Sequence, residues 1–316
     1  MKRNRLGLLD IRVSELCFGM LPMGPLQANL PQAKAIRLLR QAYDGDIIFF
    51  DTAELYQTYE FLQAAFTPSD GVIIASKSTA VTYPDMEKSV EFALRKTGRE
   101  VIDIFHLHAA RATKEVFSER SGALTYLVKA REKGLIRAIG ISTHAVDVVE
   151  AAALQPEIEV VFPIVNLEGI GILHGNLSGM LQAIKKVYQN GKGLYAMKVL
   201  AGGHLLGSLI DALDYVRNIR EFSSLAIGMV REVELAFHLA YFGNQPIPRN
   251  VLELCQDRRQ KKLIMLPFCR HCERCLETCP AGAIARGSNG LIISPEKCLS
   301  CGYCLPACPE FNLRFV

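Results

Sequence analysis

Short apolar runs recur along roughly the first three quarters of this chain, and each is followed by a segment with the period of a helix. The runs are LCFGM (16–20), DIIFF (46–50), GVIIAS (71–76), VIDIFHL (101–107), IRAIGIS (136–142), EVVFPIV (159–165), GLYAMK (193–198) and SLAIG (224–228). Between them lie segments such as PQAKAIRLLRQAYD and PDMEKSVEFALRKTG, several opening with Pro and closing with Gly, as helices prefer. Strict alternation of buried strand and helix implies a parallel sheet, because each strand needs a crossover to lie alongside the next. Eight such units over about 230 residues suit a closed (β/α)8 barrel of the TIM type. A doubly wound open sheet is the other parallel arrangement, and the lack of a GxGxxG turn weighs against it. Residues 1–15 read as a short hairpin, RLGLL and RVSEL around Asp10, in front of the first barrel strand.

The last fifty or so residues obey a different pattern. CRHCERCLETCP carries Cys269, Cys272, Cys275 and Cys279 before Pro280, and CLSCGYCLPACP carries Cys298, Cys301, Cys304 and Cys308 before Pro309. CxxCxxCxxxCP is the bacterial-ferredoxin spacing, in which three close thiolates hold one 4Fe-4S cube and the fourth ligates the other. The spacing therefore predicts two crossed clusters: Cys269, Cys272, Cys275 and Cys308 around one, Cys298, Cys301, Cys304 and Cys279 around the other. Paired zinc sites or disulfides are the competing readings, but zinc knuckles rarely repeat a third CxxC step, and nothing in the sequence suggests secretion. Cys17 and Cys255 fall in apolar patterns and read as buried packing residues.

Three segments follow: a barrel over 1–242, a linker helix over 243–266, and a small α+β bacterial-ferredoxin-like domain over 267–316. With 50% hydrophobic and 22% charged residues, the chain can bury one large core and carry a second module. Its net charge of +4 is slight and its Lys and Arg are scattered, so nucleic acid is not implied. The start lacks an apolar signal core and no run is long enough to span a bilayer, so a cytoplasmic protein without a membrane partner is expected. That compartment also suits thiolates that must stay reduced.

Chemistry on such a barrel sits where the strands end. The residues closing the apolar runs are Asp51, Lys77, His108, Ser142, Asn166 and Lys198, a ring of polar groups around one mouth, with Tyr56 just beyond Asp51 and able to lean over it.

In these pieces the sequence resembles the aldo/keto reductase superfamily. FFDTAELY, IIASKS, DIFHLH, IRAIGIST, AMKVLAGG and AIGM match it in order and spacing. The resemblance is to the branch with a C-terminal two-cluster ferredoxin-like extension. It implies Tyr56 as general acid toward a carbonyl oxygen, Lys77 as the cation that lowers the tyrosine pKa, and Asp51 as the partner orienting Lys77. His108 would orient the carbonyl, and His106, read as pointing the other way along its strand, is left structural. An unperturbed tyrosine is a poor acid at neutral pH, and a buried ammonium is the obvious corrective.

The resemblance also implies a nicotinamide, NADH or NADPH, with Ser142, Asn166, Lys198, Gly228, Met229 and Arg231 as contacts. Ser142 matches the serine that holds the carboxamide. Thr143, Phe162 and Met197 stand where the family commonly has an asparagine, a glutamine and a stacking aromatic. Glu234 occupies the position of an arginine for the 2′-phosphate, and His238 that of an adenine-contacting asparagine, while Arg231 could substitute. A carboxylate there favours NADH over NADPH. Lys198 could instead bind an anionic substrate or pair with a strand-end carboxylate. The function expected is reduction of a small carbonyl, or oxidation of an alcohol, at the barrel mouth, coupled to the clusters and to a redox partner. The alternative is an electron-transfer or partner-docking protein whose barrel no longer binds a nicotinamide.

Overall fold

The hairpin of β1 (Arg3–Arg5) and β2 (Arg12–Ser14) puts Leu6, Ile11 and Val13 against the barrel interior, where they pack with Phe49, Ile104 and Tyr195. The structure is a computed structural model that describes residues 1–257, 261–288, 290–300, 302–310 and 312–316. The parallel strands are β3 (Leu16–Gly19), β4 (Phe49–Asp51), β5 (Ile73–Ser78), β6 (Ile102–His108), β7 (Ile136–Thr143), β8 (Val160–Pro163), β9 (Gly193–Ala196) and β10 (Ser224–Gly228). β10 pairs with both β9 and β3, which closes the sheet into the expected eight-stranded barrel.

The helices around it form for ordinary reasons. Gln32–Asp44 buries Ala35, Leu38, Leu39 and Ala42, one stripe at helical spacing. Tyr83–Thr97 starts where the Thr82 side chain accepts the Asp85 N–H and stops at Gly98, whose φ of 65° suits a residue without Cβ. Burying a Leu or Phe on these faces stabilises the fold by about 1.5–3 kcal/mol per side chain.

Three boundaries differ from the sequence expectation. The second strand is not 46–50 but Phe49–Asp51, because Asp46 turns left-handed at φ 71° and the chain becomes extended only afterwards. The seventh ends at Ala196, and Lys198, at φ 60°, begins a turn instead of closing a strand. The linker is not helical throughout: a helix spans Arg249–Gln256, and Leu263–Met265 is a strand, β11. β11 pairs antiparallel with the end of the chain, β14 (Leu313–Phe315), because Leu263, Leu313 and Phe315 share one small core. Between them, β12 (Ile284–Gly287) and β13 (Gly290–Ile293) make a second hairpin.

This C-terminal domain is seated on the C-terminal mouth of the barrel. β14 lies against the turn 201–208 that follows β9, where a Cβ at Gly203 would stand 2.9 Å from that of Phe315. Arg111, just past β6, reaches across: its Nε pairs with Glu310 at 2.7 Å, and an Nη donates to Asn312 Oδ1 at 2.8 Å. No helix among the described residues is long and apolar enough to cross a membrane.

Candidate active site

The register aligns the strand ends on one rim, with Gly19 beside Asp51, Lys77 beside His106 and His108 beside Ser142. Lys77, 1% exposed, donates from Nζ to Asp51 Oδ1 at 2.6 Å and to the Thr52 carbonyl at 2.7 Å. Burial pushes this pair toward its neutral forms, raising the Asp51 carboxyl and lowering the Lys77 ammonium, while their contact opposes both shifts. Removing either partner would strand a buried charge, which costs about 3–5 kcal/mol.

Tyr56 ends a short helical turn, Glu54–Tyr56, and lies over the mouth, 9% exposed. Its ring stands edge-on to His108 at 6.0 Å, and Lys77 Nζ is 5.0 Å from its centroid. Burial drives the phenol pKa well up, and the Asp51 carboxylate adds to the rise. The Arg314 guanidinium opposes the rise, while Lys77 is hydrogen-bonded to Asp51 and Thr52. Burial lowers His108 to about 3, helped by Lys77 and Lys198, so its imidazole is neutral at physiological pH. Its Nδ1 is buried without a hydrogen-bond partner among the described residues.

His106 requires a correction. Residues i and i+2 of a strand share a face, so His106 points inward with His108 and not away from it. Fully buried, its Nε2 lies 2.7 Å from the Tyr195 hydroxyl, which in turn donates to Asp51 Oδ2 at 2.9 Å. Tyr195 stacks on Phe162 at 3.8 Å. Sequence reasoning missed Tyr195; its position one residue before the end of an apolar strand was the available signal.

Tyr56, Asp51, Lys198, Gly228, Arg314 and Phe315 all line one cleft of about 160 Å³. Arg314 is 5% exposed, so the last strand of the C-terminal domain supplies part of the wall.

The anticipated nicotinamide contacts divide. Ser142 Oγ is buried without a partner among the described residues and would suit a carboxamide. Asn166 commits both ends of its amide to the Ile170 backbone, each at 2.9 Å, and Met229 is buried in the core. At the far end the loop amides are already filled: Glu234 accepts from Val230 N at 2.9 Å and Arg231 N at 3.2 Å. Arg231 Nε (3.0 Å) and Lys261 Nζ (2.6 Å) complete its shell. Burial alone would raise the Glu234 carboxyl, but Lys261 and these donors hold it down at about 2. Arg231 is thus paired with Glu234.

In the C-terminal domain, Cys269, Cys272, Cys275 and Cys308 line one small cavity, and Cys279, Cys298 and Cys304 line another. Cys301 lies outside the described residues. The two loops wind alike: His271 (φ 54°) and Glu273 (φ 64°) follow Cys269 at the offsets at which Ser300 (φ 51°) and Gly302 (φ 83°) follow Cys298. The fourth cysteine of each run accepts a backbone N–H at 3.3 Å, Cys279 from Ala283 and Cys308 from Asn312. Burial, then the neighbouring Cys308 and Cys269, pushes the Cys275 thiol up to about 11. These donor sets fit 4Fe-4S clusters. Phe315 lines both the barrel cleft and the Cys279–Cys298–Cys304 cavity, one ring between the two spaces.

Comparison with known proteins agrees with this division. Residues 15–263 match the model of the aldo/keto reductase family, and residues 268–312 that of the 4Fe-4S dicluster domain. Among solved structures, PA4992 of Pseudomonas aeruginosa, described as an aldo-keto reductase, superposes with a TM-score of 0.68 at 20% identity. The alignment covers 77% of this chain and 94% of that one. The holo form of the aldo-keto reductase AKR11C1 from Bacillus halodurans gives 0.64 at 18% identity, covering 81% and 96%. At such identities these two carry the fold alone. Two curated relatives match a short stretch of the chain. The thiosulfate reductase electron transfer subunit PhsB of Salmonella typhi is 41% identical over 51 residues, 15% of this chain and 26% of its own length. The iron-sulfur subunit of the nitrate-inducible formate dehydrogenase of Escherichia coli (strain K12) is 44% identical over 62 residues, 18% of this chain and 21% of its own. The chain thus spans about a quarter or less of the curated relatives it matches. It belongs to the aldo/keto reductase family and is an oxidoreductase, its barrel followed by a 4Fe-4S dicluster domain.

Proposed function

We propose that the protein reduces a small carbonyl compound, or oxidises the corresponding alcohol, in the cleft beneath Tyr56, with electrons exchanged through its iron-sulfur domain and not through a nicotinamide. The observation that carries this reading is that Arg314 and Phe315, from the iron-sulfur domain, form one wall of the cleft that Tyr56 and Lys198 line from the barrel. The cysteines in the two runs would hold two 4Fe-4S clusters, which supply electrons one at a time. Reduction of the carbonyl consumes two electrons and two protons. Tyr56 gives its hydroxyl proton to the carbonyl oxygen, the carbon takes the other from solvent, and a one-electron carrier protein restores the electrons.

The residues around Tyr56 then have distinct tasks. Neutral His108 donates a hydrogen bond that orients the carbonyl oxygen. Arg314 stabilises the phenolate left after proton transfer. Lys77, Asp51, Tyr195 and His106 form a buried chain of contacts that fixes the floor of the site.

Replacing Tyr56 with Phe tests the assignment. Turnover of a reducible carbonyl should fall by about 10²–10⁴, the usual contribution of a positioned acid, with cluster signals intact. Unchanged turnover would exclude Tyr56 as the proton donor.

A further inference from the structure

Lys77 and Ser78 are consecutive on β5 and so point to opposite faces of the sheet. Lys77 reaches into the barrel, to Asp51 Oδ1 and the Thr52 carbonyl. Ser78 faces the helical shell, where its hydroxyl donates to Glu54 Oε2 at 2.7 Å. Ser89, on the helix Tyr83–Thr97, donates to the same oxygen at 2.8 Å, and the two hydroxyls lie 2.8 Å apart. The Ala80 N–H, at 3.1 Å, fills a lone pair of Ser78 Oγ and leaves the hydroxyl proton for the carboxylate. Ser78 and Ser89 are 3% and 5% exposed, so water competes little for either donor.

Glu54 opens the turn Glu54–Tyr56 and is the only charged residue between Asp51 and Glu60. Two further contacts hold the backbone of this loop. The Thr52 and Thr58 hydroxyls meet at 2.7 Å, and Gly24 runs so close that a Cβ there would stand 2.2 Å from the Tyr56 carbonyl oxygen. The Tyr56 ring has its edge-on contact with His108 and the Lys77 ammonium near its face. Aromatic contacts are favourable over centroid separations of about 4.5–7 Å, so they fix a ring only loosely. Hydrogen bonds to a carboxylate are short and directional. Glu54, Ser78 and Ser89 line one open groove of about 640 Å³ together with Lys77 and His108, so this clamp borders the site.

We propose that Glu54 is a positioning residue for Tyr56: gripped by Ser78 and Ser89, its carboxylate fixes the turn Glu54–Tyr56 against β5 and the helix behind it, and thereby sets where the phenol stands over the mouth. The effect on turnover rests on the reaction proposed above, whereas the placement of the ring does not.

The test uses full-length, cluster-loaded Glu54→Ala, kept anaerobic. Its crystal structure should show the Tyr56 ring moved from its edge-on place beside His108. Carbonyl reduction by reduced clusters should lose about 10–100-fold in kcat, since a shift of about 1 Å at a reacting group can cost about a hundredfold. Glu54→Gln, which keeps an oxygen toward both hydroxyls, should recover most of that loss. In the Tyr56→Phe background, Glu54→Ala should change kcat by less than about twofold, because the two residues act as one unit. A ring that stays in place in Glu54→Ala would overturn the proposal, as would an equal fall in kcat in the two backgrounds. If Glu54→Ala does not fold, Ser89→Ala removes one donor and leaves the carboxylate, and an unmoved ring with unchanged kcat there overturns the proposal equally. Should Tyr56→Phe itself turn over carbonyls normally, only the proton donor is rejected, and the position of the ring alone decides for or against Glu54.

Discussion

Tyr56 holds its proton because burial and Asp51 both oppose a phenolate, and the charge that favours one, Arg314, arrives from the other domain. His108 is neutral for a related reason, since burial and the nearby charges of Lys77 and Lys198 all oppose a cation on its ring. The sign of the pH dependence follows. A histidine held at about 3, below its ordinary 6.5, is already deprotonated throughout the physiological range. The rate of carbonyl reduction should therefore show no limb from His108 between about pH 5 and 8; a limb near 6.5 that disappears in His108→Gln would contradict this environment. Asp51, Lys77, His108 and Tyr56 were legible in the sequence because each sits at or just beyond an apolar run. Tyr195 was not singled out, because it stands one residue short of its strand's end and its partner Asp51 is 144 residues away. His106 was legible in principle, since the two-residue period of a strand places it on the face of His108.

At the scale of elements, the contact of β14 with the turn 201–208 brings the two domains together. Gly203 has φ 98°, and any Cβ there would meet that of Phe315 at 2.9 Å. Gly203→Val should displace β14 and with it Arg314 and Phe315 from the cleft. Electron transfer from reduced clusters to a carbonyl substrate should fall at least tenfold, and protection of the 263–265 and 313–315 amides from hydrogen exchange should decrease. Normal transfer with normal protection would mean that this contact does not couple the domains. The barrel strands themselves were readable from alternation, apart from ends set by left-handed residues such as Asp46 and Lys198. The pairing of β11 with β14 was not, because LIM inside a basic segment looks helical until Leu313 and Phe315 offer it a partner.

In the whole molecule, a barrel whose mouth would otherwise open to solvent is covered by the iron-sulfur domain, clamped by Arg111 on Glu310 and Asn312. Glu234 and Lys261 fill the end of the cleft where a dinucleotide phosphate would need the loop amides. Cys308 influences Arg314, and Arg314 influences Tyr56, so the cysteine cavities and Tyr56 share one electrostatic neighbourhood. Whether electrons for the barrel chemistry come through the clusters is measured by mixing anaerobically reduced, cluster-loaded protein with pyruvate and following cluster oxidation by absorbance and product by chromatography. The clusters should oxidise without added nicotinamide, one lactate forming for each pair of electrons lost, and Tyr56→Phe should slow both together. Clusters that stay reduced, while NADH or NADPH drives product formation in the same protein, would contradict this route.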